Sequence, residues 1–285
     1  MSATILYSVI TLVSIGVISA GILYIVAKKF QVAEDPRIDI VSEVLPQANC
    51  GGCGYAGCKN FAESIVKTGS LEGFNCPVGG AEVMKKIGEI MGLEVQLTEP
   101  MIAVVRCNGS QTHSPAKVSY QGVDSCAFAH ITFSGEGGCP YGCLGLGDCV
   151  KACQFDAIFI NAETGLPEVN DKCTACGACV KACPRGIIEL RPKGKKDRRI
   201  FVSCVNKEKG AVARKNCEVA CIGCGKCVQV CPFEAITLEN NLAYIDPQKC
   251  KLCRKCVEVC PTNAIHEINF PPRKPAQSEA VEAEG

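Results

Sequence analysis

The chain has 285 residues and a formal charge of +1, with 47% apolar and 21% charged side chains. That balance excludes a charge-rich disordered chain and gives no basis for a basic nucleic-acid binder. There are 24 cysteines and no tryptophan, a cysteine content otherwise typical of secreted disulfide scaffolds far shorter than this chain. The cysteines must carry the function.

Residues 2–27 contain no charged side chain and are mostly Ile, Val, Leu, Ala and Gly. As a helix they would cross a hydrocarbon core of about 30 Å with some tilt. Lys28 and Lys29 follow at once and no basic residue precedes, which places the start outside and everything after it in the cytoplasm. A signal peptide would need a charged leader and a small-x-small exit; Ile18-Ser19-Ala20 matches poorly. The expectation is a single-pass protein of the inner (plasma) membrane. Cytoplasmic thiols stay reduced, so the cysteines read as metal ligands rather than disulfides.

Cysteine spacing divides the rest. Cys50, Cys53, Cys58 and Cys76 form a glycine-rich first group, followed by helix-like apolar spacing over 61–91. Cys139, Cys143, Cys149 and Cys153 form a looser second group. Three nearly identical runs then begin at Cys173, Cys221 and Cys250, the first and last paired with Cys153 and Cys231 upstream. Each of the three is C-x2-C-x2-C-x3-C-P followed by residues that begin a strand, and the stretch from Cys143 repeats the same ending without the proline. This is a fourfold repeat arranged as two tandem modules. Strand pairs are expected at 157–161 with 166–169 and at 236–238 with 243–245, and a helical turn at 148–153. The domains are therefore 1–29, a transmembrane anchor; 30–95, an N-terminal cluster domain; 96–138, a connecting segment; 139–200 and 201–270, two ferredoxin modules; and 271–285, a disordered tail. The fold class is α+β: a single N-terminal transmembrane helix, an N-terminal [4Fe–4S] domain and tandem bacterial-type 2[4Fe–4S] ferredoxin modules. Modules this small need a metal staple.

The C-x2-C-x2-C-x3-C-P run is the spacing of bacterial ferredoxins, in which three thiolates bind one cube and the fourth reaches the partner cube. Zinc sites favour two knuckles with a longer spacer and fit less well. The glycine-rich group Cys50, Cys53, Cys58 and Cys76 makes cluster 1 by itself; crossed ligation assigns Cys139, Cys143, Cys149 and Cys183 to cluster 2 and Cys153, Cys173, Cys176 and Cys179 to cluster 3. Cluster 4 takes Cys221, Cys224, Cys227 and Cys260, and cluster 5 takes Cys231, Cys250, Cys253 and Cys256. Cys107, Cys126, Cys204 and Cys217 remain, either as a sixth site or as buried free thiols. The cofactors are five [4Fe–4S] clusters, or six. Arg191, Lys193, Lys195, Lys196, Arg198 and Arg199 form a basic stretch, read as a solvated loop or a docking patch for an acidic redox partner. No Rossmann or Walker signature occurs, and His113, His130 and His266 are scattered, so the chain is expected to move electrons without a bond-making active site of its own.

The order of anchor, DPR…LPQANCGGCGYAGC…NCPVGG, GCLGLGDCVKACQFDAI and tandem ferredoxin repeats resembles the B-subunit family of the Rnf complex. The resemblance implies an electron-transfer subunit of a membrane-bound, ion-translocating ferredoxin:NAD+ oxidoreductase. It receives electrons from soluble ferredoxin and passes them toward flavin-bearing subunits and NAD+, coupled to Na+ or H+ movement. The implied partners are the other complex subunits, ferredoxin and the membrane, with no nucleic acid. The alternative is a membrane-anchored polyferredoxin relay for another oxidoreductase such as a hydrogenase.

Overall fold

The computed structural model describes residues 2–29, 35–95, 99–132 and 135–272. Most of the tail expected to be disordered, from 273 onward, lies outside the described residues. Helix α1 (Ser2–Lys29) carries its apolar side chains outward, and residues 6–29 of it are long and apolar enough to cross a membrane.

The N-terminal cluster domain is a small helical unit. Helices α2 (Pro36–Val44), α3 (Cys58–Thr68) and α4 (Gly80–Met91) bury Val41, Phe61, Ile65 and Ile87 between them. Asp35 caps α2 by accepting from the Arg37 amide, with Pro36 at the first helical position. The single apolar stripe over 61–91 becomes two helices, because Gly69 ends α3 in the left-handed region and a loop carrying Cys76 intervenes.

Two modules of one design follow. In the first, β1 (Met101–Val105) pairs antiparallel with β4 (Ile188–Pro192), Met101 opposite Pro192 and Val105 opposite Ile188. Between them lie α5 (Cys126–Thr132), α6 (Asp148–Lys151), the hairpin β2 (Ile158–Ile160) with β3 (Pro167–Val169), and α7 (Ala178–Ala182). The second repeats the order: β5 (Arg199–Val202), α8 (Gly210–Asn216), α9 (Lys226–Gln229), β6 (Ile236–Glu239) with β7 (Leu242–Ile245), α10 (Lys255–Glu258) and β8 (Ile265–Ile268) pairing back to β5. The stretch 96–138, expected to be a connector, therefore supplies the outer strand of the first module. Both hairpins fall where alternation places them.

The modules meet along their outer strands. Ile102, Val104 and Phe201 form a shared apolar patch, and the Arg106 guanidinium donates to the carbonyls of Val202 (3.3 Å) and Cys204 (3.3 Å). Arg106 and Arg191 both lie over the Tyr244 ring, at 5.0 and 5.2 Å, and both pair with Glu189. Arg191 is thus only 2% exposed, on the inward side of β4. Arg198 lies over Phe270 at 5.5 Å, which leaves Lys195 and Lys196 as the exposed members of the expected basic stretch.

Candidate functional site: six groups of four thiols

All 24 cysteines are described and none is in a disulfide. The four repeated loops share a backbone path. Left-handed residues recur two and four positions after the leading cysteine: Gly145 and Gly147, Ala175 and Gly177, Gly223 and Gly225, Leu252 and Arg254. Alternating hands turn successive side chains and amides toward one centre, the geometry of an anion nest. Ala175, Leu252 and Arg254 accept this backbone strain, as residues do where a functional site over-determines the loop.

Four small cavities alike in size, about 10 to 20 Å³, each carry four thiols. Site 3 has Cys153, Cys173, Cys176 and Cys179; site 4 has Cys221, Cys224, Cys227 and Cys260; site 5 has Cys231, Cys250, Cys253 and Cys256. These are the sets that crossed ligation predicts. Amides turn toward the crossing sulfurs, Ala157 N–H to Cys153 Sγ at 3.4 Å and Ala264 N–H to Cys260 Sγ at 3.3 Å.

Site 2 differs from the expected set. Its cavity is lined by Cys126, Cys143, Cys149 and Cys183, with Cys126 in place of Cys139. The reason is visible in the repeat, where Leu146 occupies the position of the second cysteine. Cys126, at the start of α5, takes over that corner. Asp148 fastens it: its carboxylate accepts from Ser125 Oγ at 3.0 Å and from the Ala127 amide at 2.9 Å. Burial raises the Asp148 pKa, but the amides of Ala127 and Cys126 and the Ser125 hydroxyl outweigh it and hold the carboxyl below its ordinary value.

Cys139 instead joins Cys107, Cys204 and Cys217 around a wider cavity at the junction of the modules. A Cβ built on Gly109 would lie 3.3 Å from Cys217 Sγ and 3.8 Å from Cys107 Sγ, so the backbone passes close beside these sulfurs. The buried Asn206 donates Nδ2–H to Cys139 Sγ and its own amide to Cys204 Sγ, both at 3.4 Å. These four cysteines are two pairs from equivalent positions. Cys107 and Cys204 each follow an outer strand by two residues, and Cys139 and Cys217 each precede a module's leading cysteine as C-x3-C. That correspondence is legible in the sequence once the modules are aligned from their first strands.

In the N-terminal domain, Cys53, Cys58 and Cys76 pack together against the helical core and their thiols act on one another, while Cys50 opens the same loop. Asn49 Oδ1 accepts from the Cys58 amide at 2.8 Å, and the Gly79 amide donates to Cys76 Sγ at 3.3 Å.

Several of the buried thiols resist ionisation on their own. Burial first, and then neighbouring thiols, push Cys179 and Cys256 up to about 12 and Cys149 and Cys227 up to about 11. Such groups bind iron only when its positive charge offsets that penalty, which is the donor chemistry of an iron–sulfur cube. Among the described residues no group of three or more His, Cys, Asp or Glu side chains is placed to hold a single metal ion.

The six groups touch in sequence. The Gly52 backbone of site 1 abuts Cys176 of site 3, and the Cys179 thiol of site 3 feels Cys149 of site 2. Cys143 of site 2 donates its amide to Cys107 Sγ of site 6 at 3.5 Å. Cys221 of site 4 donates its amide to the Cys204 sulfur of site 6, and Cys256 of site 5 feels Cys227 of site 4.

Comparison with known proteins agrees with this chemistry. Models described as 4Fe-4S dicluster domains match residues 140–190, 172–235 and 220–264, and an Fe-S cluster family model matches 45–78. The chain is 47% identical to the B subunit of the Na(+)-translocating ferredoxin:NAD(+) oxidoreductase complex of Acetobacterium woodii, over 84% of this chain and 73% of that protein. It is 43% identical to the B subunit of the ion-translocating oxidoreductase complex of Methanosarcina acetivorans, over 88% of this chain and 93% of that one. The B subunit of the proton-translocating ferredoxin:NAD(+) oxidoreductase complex of Clostridium ljungdahlii is 40% identical over 87% and 86%. The chain belongs to the B-subunit family of Rnf-type ion-translocating oxidoreductase complexes. Its ferredoxin-type [4Fe–4S] domains and the membrane-length helix α1 fit a membrane-associated electron-transfer role.

Proposed function

We propose that this subunit holds six [4Fe–4S] clusters in one line, receives electrons from reduced ferredoxin at its carboxy-terminal module, and delivers them at its N-terminal domain to flavin subunits that reduce NAD+ and move an ion. The observation that carries the reading is the unbroken contact order of thiol groups, sites 5, 4, 6, 2, 3 and 1. Site 6 matters most, since its four cysteines come equally from both modules and fill the gap between them. Bound clusters would supply one-electron redox chemistry. The chain's own part is to fix their spacing through short helices and shared loops, to donate amides to the sulfurs, and to exclude water by burial. Lys28 and Lys29 after the apolar helix favour cytoplasmic cluster domains.

Two measurements test this. Iron in anaerobically purified protein should approach about 24 atoms per chain, since six cubes hold four irons each; about 20 would remove the sixth site. Inverted vesicles from cells lacking this gene should lose both ferredoxin-dependent NAD+ reduction and ion uptake. If the reduction survives, the chain serves a different oxidoreductase as a relay.

A further inference from the structure

The two modules differ at a position beside the junction. Two residues after the last cysteine of each repeat stand Phe155, Arg185, Phe233 and Thr262. Cys183 and Cys260 are equivalent, so Arg185 beside site 2 corresponds to Thr262 beside site 4, and these are the sites that flank site 6. Arg185 lines the site 2 cavity, and its Nη2 lies 3.7 Å from where a Cβ on Gly135 would stand. Burial lowers the Arg185 pKa, and the thiols of Cys139, Cys143, Cys183 and Cys107, two from site 6 and two from site 2, act against that. Thr262 is buried and uncharged, with its hydroxyl 3.9 Å from Cys260 Sγ.

We propose that Arg185 is a positioning charge beside site 2 that raises the reduction potential of that site, against the Asp148 carboxylate that lines the same cavity. The inference rests on the six-site reading above. A cation close to a cluster favours its more negative, reduced form, and in a partly buried setting that attraction is weakly screened. Site 4 has the uncharged Thr262 at the equivalent position, and its own cation, Lys226, stands where site 2 has Asp148.

The test uses the full-length, detergent-solubilised chain, with iron counted and each cluster's midpoint read by EPR-monitored redox titration. Arg185→Gln should keep about 24 irons and shift the site 2 midpoint to a more negative value, leaving the other five in place. Arg185→Lys should restore it. Unchanged midpoints in a fully loaded Arg185→Gln protein overturn the assignment while leaving six sites standing. Loss of iron in both variants also overturns it, since the side chain would then be needed for its shape. Loss in Arg185→Gln alone, with Arg185→Lys loaded and wild-type in its midpoints, supports the charge as the active feature. A wild-type count of about 20 irons overturns the six-site reading and this inference with it.

Discussion

Gly52 brings the backbone of the N-terminal domain against Cys176 of the first ferredoxin module. Its backbone is not in the left-handed region, so an alanine there meets a steric obstacle and no backbone strain. A Cβ would stand 2.8 Å from the Cys176 carbonyl oxygen, 2.9 Å from its Cα and 3.1 Å from its Cβ. Ordinary contact begins at 3.4 Å, so the loop must withdraw by roughly 0.6 Å at the closest atom. All three atoms belong to a site cysteine, two of them backbone, and cannot swing aside. Overpacking of this kind costs about 1–3 kcal/mol. Spent against the seating of one domain on the other, it biases the closed arrangement roughly 5–150-fold. Gly52→Ala should therefore keep full iron content yet slow electron delivery to site 1 several-fold and weaken its magnetic coupling to site 3. Stopped-flow reduction by ferredoxin and EPR power saturation read the two effects. Wild-type rate and coupling in a fully loaded Gly52→Ala protein would refute the idea that electrons cross at this contact.

Three further expectations follow from the sites. Cys126→Ala and Cys183→Ala should extinguish the same EPR signal, and Cys139→Ala and Cys217→Ala a different one; a signal lost in common by Cys139→Ala and Cys183→Ala would restore the set inferred from spacing. Asp148→Ala removes two hydrogen bonds to a carboxylate, each worth about 1.5–3 kcal/mol at most, and should deplete iron at site 2 alone, with Asp148→Asn intermediate; iron content and EPR decide. Burial lowers the His266 pKa below its usual value, so the folded chain favours the neutral ring. The resulting stability is complete above about pH 6.5 and is lost as pH falls through that value toward the folded one. Unfolding followed between about pH 7.5 and 5.5 should flatten in His266→Phe, and an unchanged slope would place the pH dependence elsewhere.

Local chemistry makes much of this molecule legible in one dimension. The uncharged apolar helix, the ferredoxin loops and the hairpins at 158–169 and 236–245 depend on short-range spacing, alternation and turn residues, and they stand where those signals put them. Crossed pairs such as Cys153 with site 3 and Cys231 with site 5 are also readable, because adjacent repeats force them. The partition of the remaining cysteines is not. Leu146 breaks the second repeat, and nothing local says which distant thiol replaces the missing one. Cys139 looks like the answer because it is near in sequence, whereas Cys126 is near in space, carried there by α5 and held by Asp148. The expectation of an exposed basic stretch fails for a similar reason: charge alone does not reveal that Arg191 faces inward on β4 between Glu189, Phe201 and Tyr244.

The sequence by itself determined the cofactor class, the membrane helix and the doubled module, since thiol spacing and unbroken apolar runs are local properties. Only tertiary structure decided that β1 and β5 set the two modules against each other, and that Cys107, Cys139, Cys204 and Cys217 converge at their junction. Thiols gathered from four separate segments leave no spacing to read, because the distances that matter there are set by how strands pair and domains pack.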